Sequence, residues 1–273
     1  MENMNYSREF KDAVSFANEH NLFLGYGNPN GKILMIGKEH YFDHKHKQDT
    51  KEFYEEILNS RNKENRKNIH SWETNVKENY EFDWNARTES FLDNSNALTA
   101  WWNQKNKQDR NGNGGTSNTY LHYQKIYQNV FLNGNTQSNI NFQREIYTSE
   151  LNDVPSGRSY NLLELKKLRT ESIEKRKDLF RKDFFKTFPV VIIASGHYPR
   201  DYNFDIEDIF EVKFFEETKI VGKSWYNLHY SSDGKRMLIH TRQLSTSVST
   251  ELITSLSNEI KEFLNRLSQK ENQ

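Results

Sequence analysis

Two stretches of this chain are apolar without a break, Leu34-Met35-Ile36 and Val190-Val191-Ile192-Ile193-Ala194. A strand with one wet face alternates polar and apolar residues. A strand without that alternation is covered on both faces, as in a parallel sheet sandwiched between helices. Three more runs rich in β-branched and aromatic residues, 144–149, 209–215 and 236–239, join 32–36 and 189–194 as predicted strands. Helical periodicity lies between and after them. Ile173, Phe180, Phe184 and Phe188 fall on one helical face, as do Leu252, Leu256, Ile260, Phe263 and Leu267. The pattern predicts an α/β fold of three layers, α/β/α, around a mainly parallel central sheet. In such open sheets ligands bind beyond the carboxyl ends of the strands, so candidate chemistry is sought there.

About a hundred residues separate the first two predicted strands, far more than one crossover helix requires. The expectation is a single domain over 1–273 with a large insertion at about 42–140. The insertion holds an amphipathic piece around Phe53, Ile57 and Leu58 and an aromatic piece with Trp72, Tyr80, Trp84, Phe91, Trp101 and Trp102. Its polar stretch 103–118, with Gly112, Gly114 and Gly115, is too poor in apolar residues to order itself and reads as a mobile loop. That stretch neither follows a strand nor opens a patterned helix, so it is no phosphate-binding loop.

The chain has no cysteine, which removes disulfides, thiolate nucleophiles and thiolate metal sites and leaves histidine and carboxylate chemistry. With no apolar segment long enough to span a bilayer and no leader pattern over 1–10, the expectation is a cytoplasmic protein without a membrane partner. His40, His44 and His46 with Asp43 and Asp49 have a ligand-like look, but Lys45 and Lys47 interleave them and repel a cation; no metal and no cofactor are expected. The formal net charge is zero, yet unevenly placed: 158–186 holds ten Lys and Arg against five acids, and 201–217 holds seven acids against Lys213. The basic stretch is either a phosphate-facing surface or the solvated face of a helix. Lys38, Lys166, Lys167, Arg169 and Arg242 are the cations expected to meet phosphate.

Two loops at strand ends carry a resemblance. The segment Gly27-Asn28-Pro29-Asn30-Gly31-Lys32-Ile33-Leu34-Met35-Ile36-Gly37-Lys38-Glu39-His40-Tyr41 is a turn, a buried strand and a polar loop opening on Gly37. The segment His240-Thr241-Arg242-Gln243-Leu244-Ser245 follows the last strand. The first resembles the strand-and-loop signature of the uracil-DNA glycosylase superfamily, whose loop carries the water-positioning group. The second resembles that superfamily's His-Pro-Ser-Pro-Leu-Ser loop at His, Leu and Ser. His40, Thr241 and Gln243 stand where the family has proline.

The resemblance implies a uracil-DNA glycosylase-like fold and a monomeric, monofunctional DNA glycosylase. Hydrolysis of an N-glycosidic bond develops positive charge on the sugar and negative charge on the departing base. Such a site therefore needs a carboxylate to orient water and a donor for the base. Carried onto this chain, Glu39 and His240 are the catalytic pair. Gly37, Lys38, His40, Tyr41 and His197 line the substrate pocket, with Tyr198 beside them. Ser149, Glu150 and Asn152 are the candidates for reading the base edge. Arg242, Gln243, Leu244 and Ser245 contact DNA, Leu244 as the wedge that fills the space left by a flipped nucleotide. A carboxylate at Glu150 would accept from the exocyclic amine of a cytosine-like base. Ser195-Gly196-His197 lacks the nucleophile-elbow pattern, so a serine-hydrolase triad is not expected. Three readings stay open: a repair glycosylase for uracil or a mispaired base, a glycosylase for a bulky modified pyrimidine in antiviral defence against phage, and a catalytically inactive DNA-binding relative.

Overall fold

The structure, a computed structural model, describes residues 5–39, 51–79, 118–136, 140–155, 163–245 and 248–271. Helix α1 (Arg8–His20) starts at Ser7, whose hydroxyl accepts from the Phe10 amide, and stops at Asn21 in the left-handed region, φ 49°. There follow β1 (Tyr26–Gly27), β2 (Ile33–Gly37), α2 (Lys51–Glu78), α3 (Asn118–Phe131), β3 (Ile146–Glu150), α4 (Leu163–Phe180) and β4 (Val190–Ala194). The chain continues through two short helices, α5 (Tyr198–Asp201) and α6 (Ile206–Phe210), into β5 (Lys213–Val221), β6 (Ser224–Tyr230), β7 (Met237–Thr241) and α7 (Thr250–Glu271).

The sheet has seven strands in the order β1-β3-β2-β4-β7-β6-β5. The central four, β3-β2-β4-β7, are parallel, whereas β1, β6 and β5 add antiparallel edges. Strand alternation sorts the core into two layers. Leu34, Ile36, Tyr147, Val191 and Ile193 meet α1, α4 and the phenylalanines after α4. Ile33, Met35, Ile146, Ile192 and Ile239 meet α3 and α7. Gly27 lets β1 approach: its φ is +108°, and a Cβ there would sit 2.2 Å from the Ile146 carbonyl oxygen.

The unbroken apolar runs are thus the strands they predict, within a residue or two. The run 209–215 is not one strand. Asp205 caps α6 by accepting from the Asp208 amide, Glu211 ends it at φ 52°, and pairing begins only at Lys213. Phe184 and Phe188 do not continue α4, which ends at Phe180; Phe184 lies in a 3₁₀ turn, and both still pack on the same core. β6 lies outside the predicted strands, although the half-buried Trp225 and Asn227 alternate with the buried Ser224, Tyr226 and Leu228 as in an edge-region strand.

The described part of the 42–140 span is built into the fold. From α2, the Asn68 side chain accepts from the Leu24 and Gly25 amides and donates to the Gly25 carbonyl, and Trp72 Nε1 donates to that carbonyl at 2.7 Å. These bonds satisfy backbone groups that strand pairing leaves over. α3 supplies Leu121, Ile126 and Tyr127 to the second core layer. No helix among the described residues is long and apolar enough to cross a membrane.

Candidate functional site

In chain order the parallel block reads second, first, third, fourth. The connection leaving β2 runs to one side and that leaving β4 to the other, so the sheet has a switch point between the carboxyl ends of β2 and β4, where open α/β sheets hold ligands. Lys38 and Glu39 leave β2 there, and Ser195, Gly196, His197 and Tyr198 leave β4. The two loops meet. Lys38 Nζ lies 4.2 Å from the centre of the Tyr198 ring, and the Tyr198 hydroxyl faces the Glu39 carboxylate. Burial pushes the Tyr198 phenol well up, and the Glu39 charge pushes it further. Glu39 Oε2 is buried without a hydrogen-bond partner among the described residues.

A second carboxyl stands beside the first. Gly37 and Glu150 are register partners, and a Cβ on Gly37 would lie 2.2 Å from Glu150 Oε2, so the glycine makes room for the carboxyl. Burial, then the Glu39 charge, push Glu150 up to about 8 against the pull of Arg176, so at neutral pH it is predominantly a neutral acid. Tyr26, Tyr120 and Tyr123 stand close enough for the Glu150 charge to act on their phenols, which burial already raises. They stay neutral hydroxyls.

This raised acid makes stability depend on pH. Between its ordinary 4.5 and about 8 the unfolded chain has ionised at this position and the folded chain has not, so unfolding releases a proton and stability falls as pH rises. His240, held down to about 4 chiefly by burial, has the opposite effect below its ordinary 6.5. The clean window is about 6.5 to 8. Urea midpoints should fall across it, and Glu150→Gln should flatten the slope; an unchanged slope would show that Glu150 ionises normally.

Ser149 and Asn152 do not reach this recess. Ser149 is one residue out of phase with Glu150 and faces the other layer, where its hydroxyl donates to the Leu24 carbonyl and accepts from Arg176. Asn152 closes a local turn, its Oδ1 accepting from the Val154 amide and its Nδ2 donating to the Val154 carbonyl. Both are fully buried and structural.

His240 is level with Ile193 on β4 and hence with Ile36 on β2, two strand spacings or roughly 10 Å to the side. Its Nε2 lies 2.8 Å from the Gly196 carbonyl. A carbonyl only accepts, so the ring of this neutral histidine has its one N–H engaged. That corrects the expectation of a donor aimed at the departing base: as it stands, His240 ties the loop after β7 to the loop after β4, alongside the Gly196 amide donating to the Thr241 carbonyl at 3.0 Å.

Leu244 is fully buried in the core layer of α3 and α7, and its carbonyl accepts from His122 Nδ1 at 3.0 Å. A side chain so placed cannot enter a base stack without leaving the core, so the wedge expectation is corrected to a packing role. Leu244→Ala should cost about 2–5 kcal/mol in urea unfolding. A loss below about 1 kcal/mol together with weakened DNA binding would restore the wedge.

Arg242, Gln243 and Ser245 are half-buried at the rim, and His197 is exposed there. Arg169 is not a phosphate contact: it is only 4 % exposed and lies against the Tyr202 and Tyr198 hydroxyls. Lys166 and Lys167 are exposed. His40, Tyr41 and the rest of the 40–49 histidine group, like the glycine-rich stretch at 112–115, lie outside the described residues. Among the described residues no group of three or more His, Asp or Glu could hold a metal ion.

Tyr202 and the tyrosines around Glu150 carry no motif in the sequence, and Arg169 is marked there only as a phosphate contact. Tyr120 and Tyr123, three apart on α3, come near Glu150 only through the docking of that helix. Comparison of the chain with family models, with curated proteins and with solved structures found no match.

The arrangement brings together two carboxyls in unlike surroundings, one with a buried oxygen that has no hydrogen-bond partner among the described residues and the other neutral among phenols. Such a pair can orient water with one member and donate a proton with the other.

Proposed function

We propose that this protein is a DNA glycosylase that hydrolyses the N-glycosidic bond of a uracil or modified pyrimidine nucleotide held out of the duplex. The observation that carries the reading is the Glu39–Glu150 pair at the carboxyl ends of β2 and β3, beside the sheet's switch point. Glu39 would orient the attacking water, and its charge would favour the oxocarbenium-like sugar. The donor for the departing base would be the neutral Glu150, with the nearby phenols, in place of His240. A neutral acid presents one O–H and one C=O, and so pairs with any pyrimidine edge that offers an acceptor beside a donor. This admits cytosine-like bases and uracil alike. Bulky modified pyrimidines of phage DNA, and with them a part in antiviral defence, fall within the same class.

The engaged N–H of His240 and the burial of Leu244 favour one competing reading, a relative that binds DNA without catalysis. One assay separates them. Purified protein is incubated with duplexes carrying uracil, 5-hydroxymethylcytosine or its glucosylated form, and abasic sites are revealed by alkali. The glycosylase reading expects alkali-labile sites from at least one substrate and no strand cleavage before alkali. Binding without any abasic product would establish the inactive relative.

A further inference from the structure

Beside the two carboxyls, on the far side of the β4 loop, the rim carries an aromatic stack. The His197 ring, exposed to solvent, lies parallel to Trp225 of β6, with centres 5.8 Å apart and planes at 21°. Trp225 in turn meets His240 edge-on at 5.0 Å and 79°. Strand register extends the row: Ile220 of β5, 70 % exposed, is opposite Trp225. On the other side, Tyr226 pairs with Thr241, so Arg242 follows β7 at the position facing Trp225. A cation position, an indole capped by an open imidazole face, and an exposed aliphatic side chain thus cross three strands next to the candidate site.

We infer that this row is a stacking platform for an unpaired nucleobase of the DNA strand held at the rim, so that the preferred substrate is single-stranded or locally opened DNA. The inference rests on the proposed function in assuming that DNA occupies the rim. A duplex hides base faces and offers grooves and phosphates; an open strand offers π faces, which stack on aromatic rings irrespective of sequence. Counterion release scales with the phosphates that local cations neutralise, and the row itself carries one cation position, that of Arg242. Stacking then supplies affinity that phosphate contacts do not, and Arg242 is placed to meet the backbone flanking the stacked base.

The test uses the full chain and an oligothymidylate of about a dozen nucleotides, followed by fluorescence anisotropy, with a duplex of equal length as the reference. The wild type should prefer the single strand. His197→Ala and Trp225→Ala should each weaken that binding by about five- to a hundredfold and leave the duplex value unchanged, whereas Trp225→Phe should retain most of it. His197 is exposed, so its variant keeps the test valid if Trp225→Ala fails to fold in a thermal melt. Equal or tighter wild-type binding to duplex, or unchanged single-strand binding by His197→Ala, overturns the platform. The abasic-site assay on the same proteins keeps the two ideas apart. Platform-dependent binding without excision sinks the glycosylase alone, and excision with unaltered strand preference sinks the platform alone.

Discussion

Glu39→Gln should lower single-turnover excision by on the order of a hundredfold or more while DNA affinity stays within about twofold, because the amide keeps the shape of the side chain but cannot act as a base for water. The expectation follows from position. Glu39 leaves β2 at the switch point, faces the Tyr198 hydroxyl and holds one oxygen buried without a hydrogen-bond partner among the described residues. The variant also removes the like charge that helps raise Glu150. The pH-dependent loss of stability assigned to Glu150 should therefore move to lower pH, a readout that needs no substrate. Full excision by Glu39→Gln would place water activation elsewhere. Excision lost without any shift in the stability profile would mean that the two carboxyls are not coupled.

The largest effect on folding is expected from Arg176. This fully buried guanidinium donates from Nε to the Glu150 carbonyl at 2.7 Å, from Nη1 to the Phe23 carbonyl at 2.6 Å and from Nη2 to Ser149 Oγ at 2.9 Å. It stands 3.9 Å from Asp153 and over the ring of Phe180. Burial holds it down to about 10 against the pull of Asp153. Asp153 is itself buried, yet Arg61, Arg176, Ser172 and Asn65 together outweigh burial and hold its carboxyl below the usual range. Arg61 and Asn65 come from α2, Ser172 and Arg176 from α4, and Asp153 from the segment after β3, so the network clamps the recess from behind. Arg176→Met would leave three buried acceptors without their donor and Asp153 with less compensation. A loss of about 3–5 kcal/mol in urea unfolding is expected, a large part of the stability of an ordinary domain. Asp153→Ala should cost a similar amount, and the double variant less than the sum, since each partner is costly chiefly when left alone. A loss below about 1 kcal/mol for Arg176→Met would show that water replaces the guanidinium at little cost.

The interior of the sheet was legible in the sequence because its signal is local. A strand buried on both faces must be apolar throughout, so Leu34–Met35–Ile36 and the run from Val190 to Ala194 declare themselves, and the polar residues that follow mark the rim. Glu39 and Glu150 were legible as rim residues for the same reason. Which rim residues share a site was not. Whether Ser149 or Glu150 faces the recess depends on one step of strand phase, and the phase is fixed only when β3 pairs with β2 and places Glu150 over the missing side chain of Gly37. His240 and Leu244 fit a motif as letters. Their roles turn on what stands 3 Å away: the Gly196 carbonyl that takes the imidazole N–H, and the α3–α7 core that encloses the leucine. Arg176 looks like one more cation in a basic helix until α4 is docked, and Trp225 gains its neighbours only when β6 pairs with β5 and β7. The sequence by itself determined the layers and the edge of the sheet where chemistry belongs, since burial on two faces is written in each residue's own polarity. Only the tertiary structure decided which carboxyls are neighbours, which donors are already engaged and which aromatic rings are left facing water, because those properties belong to pairs of residues far apart in the chain.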